Sequence, residues 1–249
     1  MRTGNMARYK LVLEYNGAGL IGFQKNRQGP SVQSLVEDAA LKFSGQAAEV
    51  VPCGRTDAGV HAAAMPAHFD LTDRADDADT VKRALNFYLT DSPVSVVSCE
   101  AVPGDWHARF SCKRRSYRYV IINQDFPPVL ERDFAWWVPQ PLDIGAMRTA
   151  ASSLIGTHNF TSFRAVECQA KSPVKTLDEV RITGDGPRIT MDFFARSFLY
   201  RQVRNMVGTL VEIGRGRPLD MDAILAAQDR TAAGPTAPAC GLFFMSADY

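Results

Sequence analysis

No apolar run in the 249 residues approaches the roughly 18 that a spanning helix needs, so a membrane partner is not expected. The opening MRTGNM stretch has no apolar core like that of a secretory signal, and a soluble, cytoplasmic protein is the expectation. Cysteine is scarce. Cys53, Cys99, Cys112, Cys168 and Cys240 are odd in number and separated by 46, 13, 56 and 72 positions, which gives neither a CxxC metal site nor a disulfide framework. His61, His68, His107 and His158 follow no HExxH or HxxxH spacing, so no metal is expected. Charge of one sign is missing as well: 28 Lys and Arg stand against 27 Asp and Glu, and no bulk positive field announces a nucleic-acid partner. The 46% hydrophobic and 22% charged content is that of an ordinary globular chain, which excludes disorder and fibrous repeats.

What is present is a repeated order of elements. Tyr9, Leu11, Leu13 and Tyr15 alternate with Lys10, Val12 and Glu14, a strand pattern. Val32, Leu35, Val36, Ala39, Ala40 and Phe43 then recur at helical spacing, with Pro30-Ser31 before them and Gly45 after. Apolar segments at Val50–Cys53 and Ala62–Leu71, a helix over Asp79–Leu89 and a strand over Val94–Ala101 complete a βαββαβ order. The second half starts with a strand at Tyr117–Ile122 and a helix from about Asp143 to Ile155. A hairpin of Glu179–Ile182 and Arg188–Phe194 across Gly184-Asp185-Gly186 follows, then helices at Phe198–Ile213 and Asp220–Gln228 and a last strand from Gly241. The spacing therefore predicts an α+β protein of two tandem ferredoxin-like units, 1–105 and 106–249. Their sheet is expected to be mixed and mostly antiparallel, flanked by helices, with a central cleft.

The neutral total hides local clusters. Arg109, Lys113, Arg114, Arg115 and Arg118 occupy one stretch without an acid, interleaved with Phe110 and Tyr117, and Arg196, Arg201, Arg204, Arg215 and Arg217 occupy another with Glu212 as its one acid. Bases interspersed with aromatics suit a surface that tracks phosphates and stacks bases. Solvated helix faces and protected edge strands give the same pattern. The most unusual stretch is Cys53–His61 (CGRTDAGVH), where a glycine on each side of Arg55-Thr56-Asp57 permits close approach of a ligand to the backbone. Asp57 beside Arg55 can be held ionised to serve as nucleophile or base, or it can simply cap a turn with Arg55 paired to it.

GRTDAGVHA (54–62) resembles the signature of the tRNA pseudouridine synthases of the A type. The likeness continues in order along the chain: GFQ (22–24), Phe110-Ser111, RSYRY (115–119), NFTSFR (159–164), VRNMVG (203–208), GPTAP (234–238) and Gly241-Leu242. It implies isomerisation of uridine to pseudouridine in the tRNA anticodon arm, at positions 38 to 40, by a homodimer without cofactor or metal. On that resemblance Asp57 matches the catalytic Asp and Arg55 a base that positions and flips the substrate. Tyr117 matches the aromatic that stacks on uracil, Arg204 the base that pairs with the Asp, and Leu242 an apolar residue lining the uracil pocket. Arg109, Arg114, Arg115, Arg164 and Arg201 are candidate RNA contacts. Phe23 stands where the family usually has Trp, Tyr88 and Thr90 interrupt an Asn-rich stretch, and Pro52-Cys53 replaces smaller residues. A noncatalytic RNA-binding protein, or a synthase acting at another RNA position, is the rival reading. The first would carry an RNP consensus, which this sequence lacks.

Overall fold

The computed structural model of the chain describes residues 6–249, so the reading of the opening MRTGNM stretch lies, up to residue 5, outside the described residues. The chain divides into two compact units, one running to Lys113 and including Phe244–Tyr249, the other Arg114–Phe243. Both combine helices with mostly antiparallel strands, an α+β arrangement with five α-helices among the described residues. None of these helices is long and apolar enough to cross a membrane.

In unit 1, β1 (Met6–Tyr15) buries the side chains that alternation selects: Tyr9, Leu11, Leu13 and Tyr15. It pairs antiparallel with β3 (His61–Thr72) on one side and β4 (Val94–Val102) on the other. Tyr9 faces Phe69 across the first pair, their rings stacked with centroids 5.5 Å apart. The short β2 (Val51–Pro52) adds to β3, and β10 (Leu242–Asp248) also lies beside β3. Helix α1 (Val32–Ser44) starts where Ser31 and Ser34 exchange side-chain hydrogen bonds with each other's backbone, satisfying two otherwise unpaired N–H groups. It stops at Gly45, whose φ of 72° ends the helix at little cost. Helix α2 (Ala78–Leu89) is capped by Asp77 and buries Val81, Leu85 and Leu89.

In unit 2 the strand order is β5-β9-β8-β7: β5 (Arg114–Ile122), β9 (Arg188–Ala195), β8 (Val174–Asp185) and β7 (Gly156–Asn159), with the short β6 (Trp136–Trp137) parallel to β5. The helices are α3 (Ile144–Ser152), α4 (Gln202–Gly214) and α5 (Met221–Ala227). Several expectations shift here. The β8–β9 turn falls at Gly186-Pro187, while Gly184 stays in the ladder opposite Ile189. Helix α4 starts at Gln202 rather than Phe198 because Arg201 has φ 59°, a left-handed conformation that cannot continue a helix. β6 and β7, two and four residues long, are too short to show a period. Trp136 is half-buried, edge-on to Tyr119, and Trp137 is exposed, its Nε1 donating to the Gln124 carbonyl (2.8 Å). Phe193 is core, but half-buried Phe194 carries the Arg114 and Arg181 guanidinium groups at 4.5 and 5.3 Å from its ring centre.

Candidate active site

The CGRTDAGVH segment is a loop between β2 and β3, held from one side by the chain that follows β1. The Phe23 N–H donates to the Thr56 carbonyl (3.1 Å), and the hydroxyls of Tyr15 and Thr56 bond each other at 2.8 Å in a buried position. Gly17 donates its N–H to His61 Nδ1 (3.0 Å), so His61, 1% exposed, holds the loop's end as a neutral acceptor. Val60 N–H closes a turn onto the Asp57 carbonyl at 3.2 Å. The glycines of the supporting strip are forced by contact: a Cβ at Gly17 would sit 2.1 Å from the Val60 carbonyl oxygen, and one at Gly22 (φ 104°) 2.6 Å from that of Thr56. The result is a loop fixed at several points, with Asp57 half-buried and Arg55 exposed upon it. A carboxylate presented this way needs little reorganisation to act on a bound group.

The sequence motif pointed to the loop and to His61 at its end, whereas the supports Tyr15 and Gly17, outside the motif, carried weaker signals. Gly22 and Phe23 were visible as the GFQ motif, and the structure gives them a reason: they back directly onto Thr56 and Asp57. Arg109, also in unit 1, is exposed, its guanidinium 5.9 Å from the ring centre of the 74% exposed Phe110.

In unit 2, Tyr117 sits in the middle of β5 opposite Phe193, 9% exposed, with the Phe198 ring edge-on at 5.1 Å. Leu242, 6% exposed, opens β10. Before it, Gly241 lies so close to the Tyr119 ring that a Cβ would be 2.7 Å away. Arg204 is in the first turn of α4; its Nε donates to the Ala237 carbonyl (2.8 Å) and its own carbonyl accepts from the Ala237 N–H (3.1 Å). The VRNMVG and GPTAP segments are thus clasped together.

The remaining candidate bases divide by what they already hold. Arg118 makes a two-pronged pair with Asp192 across the β5–β9 ladder (2.7 and 3.1 Å), which raises the guanidinium pKa, mainly through the hydrogen bond. Arg114 pairs with Glu179 at 3.2 Å, and Arg115, 8% exposed, donates to the Arg196 carbonyl. Arg164 spans the carbonyls of Cys168 (2.6 Å) and Ala170 (3.1 Å), closing its own loop. Arg215 and Arg217 both lean on Glu212 at the end of α4. Arg201, by contrast, is exposed at the start of α4, 4.9 Å from the Tyr200 ring centre. Most of these bases are therefore already engaged, Arg118 and Arg114 with acids of β9 and β8, Arg115 and Arg164 with carbonyls, and Arg215 and Arg217 with the one acid of their own stretch.

Among the described residues no group of three or more His, Cys, Asp or Glu is placed to hold a metal ion. His68 is buried with Nδ1 accepting from the Ala108 N–H (3.2 Å), and burial, then Arg8 and His107, lower its pKa to about 4.

Residues 150–249 match the family described as tRNA pseudouridine synthase. Pseudouridine synthases are isomerases, and the chain is an enzyme of that class. It is 49% identical over 246 residues to the tRNA pseudouridine synthase A of Caulobacter sp. strain K31, covering 98% of both chains. It is 50% identical to the proteins of that name from Rhodospirillum rubrum, over 96% of this chain and 87% of the relative, and from Rhodospirillum centenum, over 98% and 100%. The chain belongs to the tRNA pseudouridine synthase A family.

Proposed function

We propose that the chain isomerises uridine to pseudouridine in the anticodon arm of tRNA, at positions 38, 39 and 40. Asp57 serves as nucleophile or base, and Arg55, Tyr117, Arg204 and Leu242 bind the substrate. The reaction breaks the bond between N1 and C1′ and joins C5 to C1′, while the C5 proton is lost and N1 regains one. A single ionised carboxylate can start it, either by attacking C1′ or by removing the C2′ proton. The observation that carries the reading is the Asp57 loop, tied at Thr56 by Tyr15 and Phe23 and at His61 by Gly17, and closed on Asp57 by its own Val60, so that one carboxylate is presented on a rigid support. An aromatic face such as that of Tyr117 lets a detached uracil turn without directional bonds. Extruding a stem nucleotide costs a few kcal/mol, which backbone contacts offset. The exposed Arg109 and Arg201 are the better placed of the candidate bases for this; Arg114, Arg115 and Arg164 would contribute only from their protein-bound positions.

The reading includes two ferredoxin-like units, 1–105 and 106–249. The antiparallel β4-β1-β3 order with β2 on β3, and β5-β9-β8 with α3 between β5 and β8 and α4 following β9, support it. It also includes a cytoplasmic homodimer without cofactor. Carbodiimide labelling and primer extension on unmodified tRNA test the activity and site: wild type should yield pseudouridine in the anticodon arm and Asp57→Asn none while still binding tRNA. Pseudouridine formed by Asp57→Asn would remove Asp57 from its role, and none formed by wild type with tRNA bound would favour a binding module.

A further inference from the structure

Three segments of unit 2 that are distant in sequence meet on the side chain of Asn205. This residue is fully buried in the first turn of α4. Its Nδ2 donates to the Phe163 carbonyl (2.8 Å), and its Oδ1 accepts from Thr236 Oγ1 (2.6 Å) and from Arg230 Nη2 (3.2 Å). Arg230 also donates through Nη2 to Thr236 Oγ1 (3.2 Å) and through Nη1 to the Gly234 carbonyl (2.8 Å). One turn further along α4, Thr209 Oγ1 accepts from the Gly234 N–H (2.9 Å) and donates to the Asn205 carbonyl (2.9 Å). The Asn205 amide thus donates to one segment and accepts twice from the other, and such a network is rigid when intact and costly when broken.

The network holds a specific object. Gly234–Pro238 lies against α4 so tightly that a Cβ at Gly208 would be 1.7 Å from the Pro235 carbonyl oxygen. Its far end carries Ala237, whose carbonyl receives Arg204 Nε. No partner of Arg230 among the described residues is a carboxylate, and burial lowers its pKa, so the guanidinium is spent on carbonyls, one amide and one hydroxyl. Only a planar fork can reach all of them at once.

We propose that Arg230 is a positioning residue for the reaction: through Asn205, Thr236 and Gly234 it fixes the segment whose Ala237 carbonyl aims the Arg204 guanidinium. This rests on the reading of Arg204 as a substrate-binding group. Arg230 touches no reacting atom, so its removal should act on the rate through Arg204 and leave tRNA affinity alone.

The test is a double-mutant cycle on the full chain, read as single-turnover pseudouridine formation at saturating tRNA together with tRNA affinity. Arg230→Gln should slow the step about a hundredfold, as a misplacement near 1 Å does, with affinity within about twofold of wild type. Thr236→Val, a smaller change that preserves shape, should slow it about tenfold and carries the test where Arg230→Gln does not fold. In an Arg204→Lys background, either change should cost no more than about a further threefold, because residues that act as a unit are not additive. Fold-losses that multiply in the double variant would overturn the proposal, as would a wild-type rate in folded Thr236→Val. A separate failure marks the underlying reading: if Arg204→Lys alone keeps the wild-type rate, Arg204 is not a substrate-binding group and the proposal falls with it.

Discussion

Gly208 stands in the interior of α4, where glycine costs about 1 kcal/mol relative to alanine, so Gly208→Ala would stabilise the chain if the helix were free. It is not free. The added Cβ would lie 1.7 Å from the Pro235 carbonyl oxygen, 2.9 Å from the Pro235 carbonyl carbon and 3.3 Å from the Ala237 nitrogen, all backbone atoms that no rotamer change can remove. Pro235 would have to retreat by roughly 1.7 Å to reach ordinary contact. Its neighbours make the bonds between the Gly234 N–H and Thr209 Oγ1, and between Ala237 and Arg204. Losing two or three of these at about 1 kcal/mol each, with about 1 kcal/mol of overpacking strain, outweighs the gain in helix propensity. The net expectation is a destabilisation of about 2–3 kcal/mol. Urea unfolding of wild type and Gly208→Ala at equal m-value reads that number directly. Pseudouridine formation by the folded variant should fall much further than its tRNA affinity, because Pro235 cannot retreat without shifting Ala237 two residues on, whose carbonyl receives Arg204. A variant as stable as wild type, or more so, and of undiminished rate would refute the reasoning.

The supports of the Asp57 loop should behave in the same way. Thr56→Val keeps the shape of the side chain but deprives the buried Tyr15 hydroxyl of its 2.8 Å partner, and should cost about 1–2 kcal/mol in urea unfolding together with part of the rate; an unchanged midpoint would refute it. His68 titrates near 4 in the folded chain and near 6.5 when unfolded, so stability it contributes above pH 6.5 is lost as pH falls from 6.5 to 4. The loss, up to about 3 kcal/mol, should be missing from His68→Asn; parallel pH profiles of wild type and variant would contradict it. The Cys99 thiol is pushed up to about 12 by burial, then by Glu100 and Asp77, so at pH 8 it should resist iodoacetamide. Rapid alkylation of Cys99 under native conditions, read by mass spectrometry, would count against that environment.

What the sequence determined by itself was local. The alternation Tyr9, Leu11, Leu13, Tyr15 is the buried face of β1, and the spacing Val32, Val36, Ala39, Ala40 is the buried face of α1, because burial on one side of a strand or helix imposes its period on the chain. Ser31 and Gly45 marked the ends of α1 for the same reason, since caps answer to neighbouring backbone groups alone. The Asp57 loop was legible as a motif, and so were the segments around Arg204 and Ala237. Tertiary structure decided what each of these rests on. Which bases are already engaged depended on register, which sets Arg118 opposite Asp192 and Arg114 near Glu179, pairs separated by 74 and 65 positions. The start of α4 followed from the left-handed Arg201, and the glycines at 17, 22 and 208 were explained only by the backbone pressed against them. Asn205 reads in the sequence as one polar residue in an apolar helix. Its meaning comes from Phe163, Arg230 and Thr236, which no periodicity connects and which meet because the packing of α4 leaves its buried amide with no other partners.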